Sequence, residues 1–201
     1  MLFRSPSCPQ TGPSAAKQQQ QKLWFDDRDQ PAASDVRVGV MGLGVLGQDA
    51  LAKLRIMGFK TAGWSRNPRQ IDQVECFSGS DGLKQFLART DILVVLVPLT
   101  PDTRGLINSS LLRGLAQDGA LGGPVLINAG RGRQQVEEDI LHALDAGELA
   151  GATLDVFRTE PLPAESRFWT HPKVTLTPHI AADSDPGVIC EYVARQIVEY
   201  E

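Results

Sequence analysis

The sequence feature that most constrains the fold is a glycine-rich segment between an apolar run and a helix-like stretch. The apolar run, residues 38–41, leads directly into the pattern G-x-G-x-x-G. In a strand–turn–helix unit, Gly42 would allow a tight turn, Gly44 would admit a pyrophosphate, and Gly47 would let the helix pack on the strand. We therefore predict a dinucleotide-binding loop, the alternative being a glycine-rich turn without a ligand. Its candidate cofactor-binding residues are Gly42, Gly44, Val45, Leu46 and Gly47.

After Asp35, short runs rich in β-branched and apolar residues alternate with stretches that have the composition of helices. This alternation is typical of parallel strands joined by crossover helices, so the predicted fold class is α/β, a doubly wound parallel sheet of the Rossmann type. Pro186 predicts the first turn of a last helix, capped by Ser184 or Asp185. The predicted strands are Arg37–Met41, Lys60–Trp64, Val74–Phe77, Ile92–Val97, Pro124–Asn128, Ala152–Asp155 and Val174–Leu176. The predicted covering helices are Leu46–Met57, Asp81–Arg89, Ser109–Leu115 and Gln135–Ala146.

Composition and charge exclude several classes of protein. Hydrophobic residues make up 42% of the 201-residue chain and charged residues 22%, as in a water-soluble globular protein. The net charge of -4 gives no basic excess for a nucleic acid or an acidic membrane, so neither is expected as a partner. The distant cysteines Cys8, Cys76 and Cys190 suit neither a disulfide framework nor a metal site. We expect a cytoplasmic protein, or an organellar one if the basic N-terminus is a transit peptide.

The end of the second predicted strand bears on the choice between NADH and NADPH. An NADH site of this type has Asp or Glu about 20 residues beyond the glycine motif, where it binds the ribose 2′-hydroxyl. This chain has Trp64-Ser65-Arg66 there, and residues 50–71 contain no acidic residue. A hydroxyl can hydrogen-bond the 2′-phosphate of NADPH, and a guanidinium can bind it through two parallel hydrogen bonds. NADPH is therefore favoured over NADH, unless Arg66 and Arg69 are solvated loop charges.

Three segments at the predicted carboxyl ends of later strands carry groups suited to reduction of a 2-oxo acid. This reaction places negative charge on the carbonyl oxygen, so it needs a proton donor there and a cation that holds the substrate carboxylate. His179 and Arg131 have this chemistry, and Glu160 would orient the imidazole and favour its charged form. Asp155 is either a capping carboxylate or a contact near the nicotinamide. Each residue also has an ordinary interpretation, as a surface charge, a loop carboxylate or a strand-end histidine.

Five segments, taken in their order along the chain, resemble the D-isomer-specific 2-hydroxyacid dehydrogenase family. They are residues 42–47, 97–108, 128–132, 155–163 and 177–182. Trp64-Ser65-Arg66 and the glutamine tract at residues 18–21 are similar to the branch of this family that reduces glyoxylate and hydroxypyruvate. The resemblance covers residues 18–201.

This resemblance implies a role for each candidate residue. The catalytic residues would be three. Arg131 would bind the substrate, His179 would be the acid/base, and Glu160 would be the partner of the His179 imidazole. The cofactor side would add Pro98, Leu99, Thr103, Ala129, Gly130 and Asp155 to the glycine loop and to Trp64, Ser65 and Arg66.

The resemblance also bears on domains and assembly. Family members carry a substrate-binding segment of domain size, on the order of 100 residues, before the glycine loop. In this chain that place holds residues 1–34, which are rich in Pro, Ser and Gln and are expected to be a tail or residual arm. We expect a dinucleotide-binding domain with the catalytic residues at 35–180, and a C-terminal helix at 181–201 that would pack on the substrate domain. A homodimer, formed largely through the nucleotide domain, is also implied.

The leading hypothesis is NADPH-dependent reduction of a small 2-oxo acid, of the glyoxylate or hydroxypyruvate type, to the 2-hydroxy acid. The main alternative is a non-catalytic NADPH-binding sensor or regulatory protein that lacks a complete substrate site. A methyltransferase on the same fold is less favoured, because its chemistry does not require an arginine, a glutamate and a histidine together. We expect this chain to bind NADPH but to turn over poorly, since a cleft that orients the 2-oxo acid needs a second wall.

Overall fold

A computed structural model describes residues 15–24, 30–182 and 186–199 of the chain. Within these residues the strands are β1 (Arg37–Met41), β2 (Lys60–Ser65), β3 (Glu75–Ser78), β4 (Ile92–Val95), β5 (Val125–Asn128), β6 (Gly151–Leu154) and β7 (Val174–Leu176). The helices are α1 (Ala15–Gln20), α2 (Val45–Ile56), α3 (Gly79–Ala88), α4 (Ser109–Arg113), α5 (Glu137–Asp145) and α6 (Pro186–Glu199). Single 3-10 turns occupy Ala33–Asp35, Pro101–Thr103, Gly132–Gln134 and Arg167–Trp169. The predicted caps of the last helix, Ser184 and Asp185, lie outside the described residues.

The strands pair side by side into one sheet in the order β3-β2-β1-β4-β5-β6-β7, and every described pairing is parallel. The prediction of an α/β doubly wound sheet is therefore confirmed. Because all strands run the same way, their carboxyl ends share one edge. The order reverses between β1 and β4, which is where such sheets open a crevice for ligands.

The central strands are nearly continuous apolar runs because helices cover both faces of a parallel sheet. Leu93 and Val95 of β4 and Leu126 of β5 are fully buried, as is Phe86 on α3. A Cβ placed on Gly39 of β1 would lie 2.7 Å from the ring of Phe86, so α3 packs closely on the sheet. Full burial of one such side chain stabilises the fold by about 1.5–3 kcal/mol.

Several elements begin or end a residue or two away from their predicted limits, and two of the differences have clear causes. The fourth strand ends at Val95 rather than Val97, because the chain turns into a loop towards Pro98, which has no N–H to donate. The fifth helix begins at Glu137 rather than Gln135, because Gln135 is extended, with a φ of -98° and a ψ of 143°.

The segment predicted as a tail contains the short helix α1 and the exposed Trp24, 96% of whose surface is accessible. The predicted domain boundaries after residues 34 and 180 stay a prediction.

No helix in the described ranges is long and apolar enough to cross a membrane. The same ranges hold no group of three His, Cys, Asp or Glu side chains placed to bind a metal ion, and Cys76 and Cys190 are free thiols.

Candidate active site

The loop between β1 and α2 is shaped by its three glycines. Gly42 has a φ of +111°, which residues with a Cβ rarely adopt. A Cβ on Gly47 would lie 1.8 Å from the carbonyl oxygen of Gly42, so α2 packs directly on the turn. A Cβ on Gly44 would have no atom within 4 Å, and no side chain caps the first turn of α2. The open space at Gly44, with the uncapped N–H groups beside it, could hold a phosphate group. The other two candidates in this loop, Val45 and Leu46, are exposed.

The three candidate cofactor-binding residues at the end of β2 differ in their surroundings. Trp64 is a core residue, and its Nε1 donates to a backbone carbonyl at the start of α3 at 3.0 Å. The hydroxyl of Ser65 donates to the carbonyl of Asn67 at 2.8 Å. Arg66 is exposed, and its Nη1 lies 2.7 Å from Oδ2 of Asp102. Arg66 thus presents a cationic group at the surface. Contact of Trp64, Ser65 and Arg66 with a cofactor stays a prediction.

The loop after β4 is closed by hydrogen bonds within itself. Thr103 Oγ1 donates to the carbonyl of Pro98 and accepts from the N–H of Thr100, both at 2.7 Å. These bonds close the turn Pro101–Thr103, so the hydroxyl of Thr103 is engaged by its own loop. Pro98 is exposed and Leu99 is half-buried at the carboxyl end of the sheet. Contact of Pro98 and Leu99 with a nicotinamide stays a prediction.

Arg131 follows β5 and is exposed. Its Nη1 donates to the carbonyl of Gly130 at 2.7 Å, so the side chain lies against its own loop. A Cβ on Gly132 would lie 1.8 Å from the carbonyl oxygen of Phe157, so the loop after β5 packs against the loop after β6. This contact fixes the backbone from which the guanidinium extends. The neighbouring candidates Ala129 and Gly130 are half-buried and buried, respectively.

Two buried glutamines, which sequence reasoning did not select, hold the Arg131 loop in place. Gln134 accepts from the N–H of Arg131 at 2.8 Å and donates to the carbonyl of Val97 at 2.6 Å. Gln135 accepts from the amide of Asn128 at 2.9 Å and donates to the carbonyl of Val156 at 3.0 Å. The loops after β4, β5 and β6 are thereby joined. The available signal was a polar pair at the start of a segment with helical periodicity.

Asp155, directly after β6, holds the turn that carries His179. Its carboxylate is buried; Oδ1 accepts from Thr177 Oγ1 at 2.5 Å and from the N–H of Ile180 at 2.9 Å, and Oδ2 accepts from the N–H of Ala181 at 3.0 Å. Burial opposes ionisation of Asp155, but these hydrogen bonds outweigh it and hold the pKa of the carboxyl below its usual value. The side chain is thus engaged by the turn, and its contact with a cofactor stays a prediction.

His179 itself has a φ of 56°, a left-handed conformation that is uncommon for residues other than glycine. Its N–H donates to the carbonyl of Asp155 at 2.8 Å and to that of Thr177 at 3.1 Å. Such a conformation persists when the surroundings determine it, and it is enriched at functional sites. The turn therefore directs the imidazole to one position beside the loop after β6.

Glu160, in the loop after β6, contacts His179 directly. Nδ1 of His179 lies 2.8 Å from Oε2 of Glu160, whose Oε1 accepts from the N–H of Phe157 at 2.8 Å. Burial opposes ionisation of Glu160, but the hydrogen bonds from His179 and Phe157 outweigh it and lower the pKa of this carboxyl. An ionised carboxylate can only accept, so Nδ1 must carry a proton and donate. Nε2 is then the ring atom that can exchange a proton, and it has no hydrogen bond to the described residues.

The structure brings His179 and Glu160 together, whereas the hydrogen bonds of Arg131 in the described chain go to its own loop. Arg131 follows β5 and His179 follows β7, with β6 between them. Two strand spacings correspond to about 10 Å. Arg131 and His179 thus extend from the same carboxyl edge of the sheet, two strands apart.

Comparisons with known proteins show which family this chain resembles in sequence and fold. The sequence profile described as "D-isomer specific 2-hydroxyacid dehydrogenase, NAD binding domain" matches residues 9–181. The chain is 44% identical over 185 residues to a glyoxylate/hydroxypyruvate reductase A of Serratia proteamaculans, a match that covers 91% of this chain and 56% of that protein.

Two solved structures are similar in fold and sequence. An NADPH-dependent glyoxylate/hydroxypyruvate reductase from Sinorhizobium meliloti, in complex with NADP and sulfate, has a TM-score of 0.88 and 54% identity, covering 92% of this chain and 58% of that one. A probable 2-hydroxyacid dehydrogenase from Rhizobium etli, in complex with NADP, HEPES and L(+)-tartaric acid, has a TM-score of 0.88 and 49% identity with the same coverage, 92% and 58%. The chain thus spans somewhat more than half the length of these relatives. With its NAD-binding domain matched by the family profile over residues 9–181, the chain belongs to the D-isomer specific 2-hydroxyacid dehydrogenase family.

Proposed function

We propose that this chain binds NADPH at the loop Gly42–Gly47, and that the protein uses it to reduce a small 2-oxo acid to the 2-hydroxy acid. The observation that carries the proposal is the bond between His179 and Glu160, which leaves Nε2 to exchange a proton at the carboxyl edge of the sheet. The substrate class is glyoxylate or hydroxypyruvate, which the names of the Serratia and Sinorhizobium relatives support.

In this proposal, NADPH held by the loop Gly42–Gly47 would supply a hydride to the carbonyl carbon of the substrate. Reduction places negative charge on the carbonyl oxygen, to which protonated His179 would give the proton held on Nε2. Glu160 accepts from Nδ1–H throughout and stabilises the imidazolium before the proton is given. Arg131 leaves the carbonyl of Gly130 and binds the substrate carboxylate through two parallel hydrogen bonds.

NADPH is the proposed cofactor, and NADH is less favoured. The open space at Gly44 and the uncapped start of α2 suit the pyrophosphate. Arg66 directly follows β2, at the place where an NADH site would have a carboxylate, and its exposed guanidinium suits a 2′-phosphate. Binding of NADP by the Sinorhizobium and Rhizobium relatives supports this choice.

A cytoplasmic homodimer belongs to the same proposal. Apolar side chains at the end of α2, Ile56 and Met57, are 87% and 52% exposed, and contact with a second copy would cover them. Light scattering at micromolar concentration would give the mass of a dimer, and a monomer mass across that range would contradict this part of the proposal.

The proposed function is tested by two measurements on the purified protein. The first follows NADPH absorbance with a panel of 2-oxo acids, and the second titrates NADPH and NADH in the absence of substrate. We expect NADPH to bind at least about tenfold more tightly than NADH, a difference of about 1.4 kcal/mol, and we expect Arg66→Ala to narrow the gap. Equal affinities would refute the cofactor assignment. Tight NADPH binding without turnover of any 2-oxo acid, in a version of the protein that also carries a substrate-binding domain, would favour the non-catalytic sensor.

A further inference from the structure

Arg66, which the proposed function assigns to the 2′-phosphate, already has an anionic partner within the chain. Its Nη1 lies 2.7 Å from Oδ2 of Asp102, and the two side chains are 68% and 70% exposed. Both residues stand beyond the carboxyl edge of the sheet, Arg66 directly after β2 and Asp102 in the turn that follows β4. The two residues thus form an exposed ion pair at the carboxyl edge of the sheet, where the cofactor is proposed to bind.

The strand order gives this pair its position. β2 and β4 are the two neighbours of β1 in the sheet, so a bond between residues that follow them spans the end of β1. The end of β1 continues into Gly42, whose N–H donates to the carbonyl of Trp64 at 2.8 Å. The Arg66–Asp102 pair therefore lies across the glycine loop, where the dinucleotide is proposed to bind.

The two partners differ in how freely they move. The turn that holds Asp102 is closed by the bonds of Thr103 to Pro98 and Thr100, which fix its backbone. Arg66 stands at the end of a strand, and its long side chain carries the guanidinium on several rotatable bonds. When a competing anion arrives, the arginine side chain is the group that changes partner.

We propose that Asp102 is a specificity-determining residue, whose carboxylate competes with the 2′-phosphate of NADPH for Arg66. This inference rests on the proposed cofactor preference and adds a residue to it. Asp102 lowers the affinity for NADPH, because the guanidinium must leave one anion to bind the other. NADH has no 2′-phosphate, so it binds without requiring this exchange. Asp102 thereby limits the preference for NADPH that Arg66 creates.

The test is a double-mutant cycle read by calorimetric titration of NADPH and NADH, with wild type, Asp102→Asn, Arg66→Ala and the double variant. An exposed ion pair corresponds to only a small coupling, so Asp102→Asn should tighten NADPH binding by about two- to fivefold. Its effect on NADH should be smaller. In the Arg66→Ala background, Asp102→Asn should leave NADPH affinity unchanged. Both side chains are exposed, so neither variant is expected to disturb folding.

A matched control is Glu191→Gln, which removes one carboxylate from another exposed pair, with Arg195 on α6, and should change neither affinity. Weaker or unchanged NADPH binding by Asp102→Asn, with Arg66→Ala still impaired, would overturn the role of Asp102 and leave the cofactor assignment intact. Equal tightening in both backgrounds would also overturn it, because simple charge repulsion would then suffice. If Arg66→Ala has no effect on NADPH, the cofactor assignment and this inference both fail.

Discussion

Two glycines in the proposed phosphate loop should respond in opposite ways to the same small change. A methyl group added at Gly47 would lie 1.8 Å from the carbonyl oxygen of Gly42, a backbone atom that no side-chain rotation can move. A methyl group added at Gly44 would have no protein atom within 4 Å, and the φ of -76° at this position suits alanine. Gly47→Ala therefore tests the packing of the fold, whereas Gly44→Ala tests the space in front of the loop.

The expected magnitudes follow from these contacts. Overpacking costs about 1–3 kcal/mol, or more against backbone, and the better helix propensity of alanine returns about 1 kcal/mol. Gly47→Ala should therefore lower the free energy of unfolding by about 2 kcal/mol, and Tm by about 4–8 °C. For Gly44→Ala, the reduced entropy of the unfolded chain and the loss of a favourable cap nearly cancel, so stability should change by less than about 1 kcal/mol. Its methyl group would instead displace a phosphate and cost at least about 1.4 kcal/mol, or tenfold, in NADPH affinity.

Thermal unfolding and NADPH titration of both variants separate these effects. We expect Gly44→Ala to keep the wild-type Tm and lose NADPH affinity, and Gly47→Ala to lose both. Wild-type NADPH affinity in Gly44→Ala would refute the assignment of the loop as the phosphate site. Equal losses of Tm in the two variants would refute the packing argument that distinguishes them.

Three further predictions concern the catalytic edge. In the protein assayed with a 2-oxo acid, His179→Ala should lower kcat by about 10²–10⁴-fold while the Kd for NADPH stays constant, and a matching loss of NADPH affinity would contradict the proton-transfer role. The folded-state pKa of Asp155 lies below its unfolded value of about 3.9, so its stabilisation is complete above that pH and is lost as the pH falls through the folded pKa. Asp155→Asn should therefore flatten the acid side of the plot of unfolding free energy, measured with urea, against pH. The same slope in the wild type and the variant would contradict the lowered pKa of Asp155. Gln134→Ala should lower the free energy of unfolding by about 1–3 kcal/mol, because it leaves two backbone groups unpaired. Gln70→Ala, at an exposed position, should leave Tm unchanged, and equal Tm values for the two variants would contradict the supporting role of Gln134.

The sheet could be predicted from the sequence because its signals are local. β5, for example, is Val125–Asn128, an apolar run that ends in a polar residue at the carboxyl edge. Such runs are typical of strands buried on both faces, and the intervening helical stretches require parallel pairing. The limits of the elements were less predictable, because β4 ends where the chain turns into the loop towards Pro98. Similarly, α5 begins only after Gln135, which is extended and donates to the carbonyl of Val156.

The candidate site was predictable in its reactive groups and not in their supports. A histidine and a glutamate near strand ends have recognisable chemistry, and the structure places His179 and Glu160 in contact although they are 19 positions apart in the sequence. Gln134 and Gln135 have no such signature. Their partners include Val97 and Val156, so their burial depends on how distant loops meet after folding. Sequence periodicity describes one element at a time and does not contain this information.

The supports explain why each reactive group can be reached by solvent and yet be held in place. Arg131 and His179 are exposed, as their proposed roles require, and exposed side chains alone are poorly fixed. Each extends from a backbone that a buried polar residue holds, Gln134 for the arginine and Asp155 for the histidine. Substitution of a reactive group should then change turnover and leave Tm nearly constant, whereas substitution of its support should lower Tm and turnover together. A support whose loss lowers Tm without any change in turnover would show that it holds the fold and not the site.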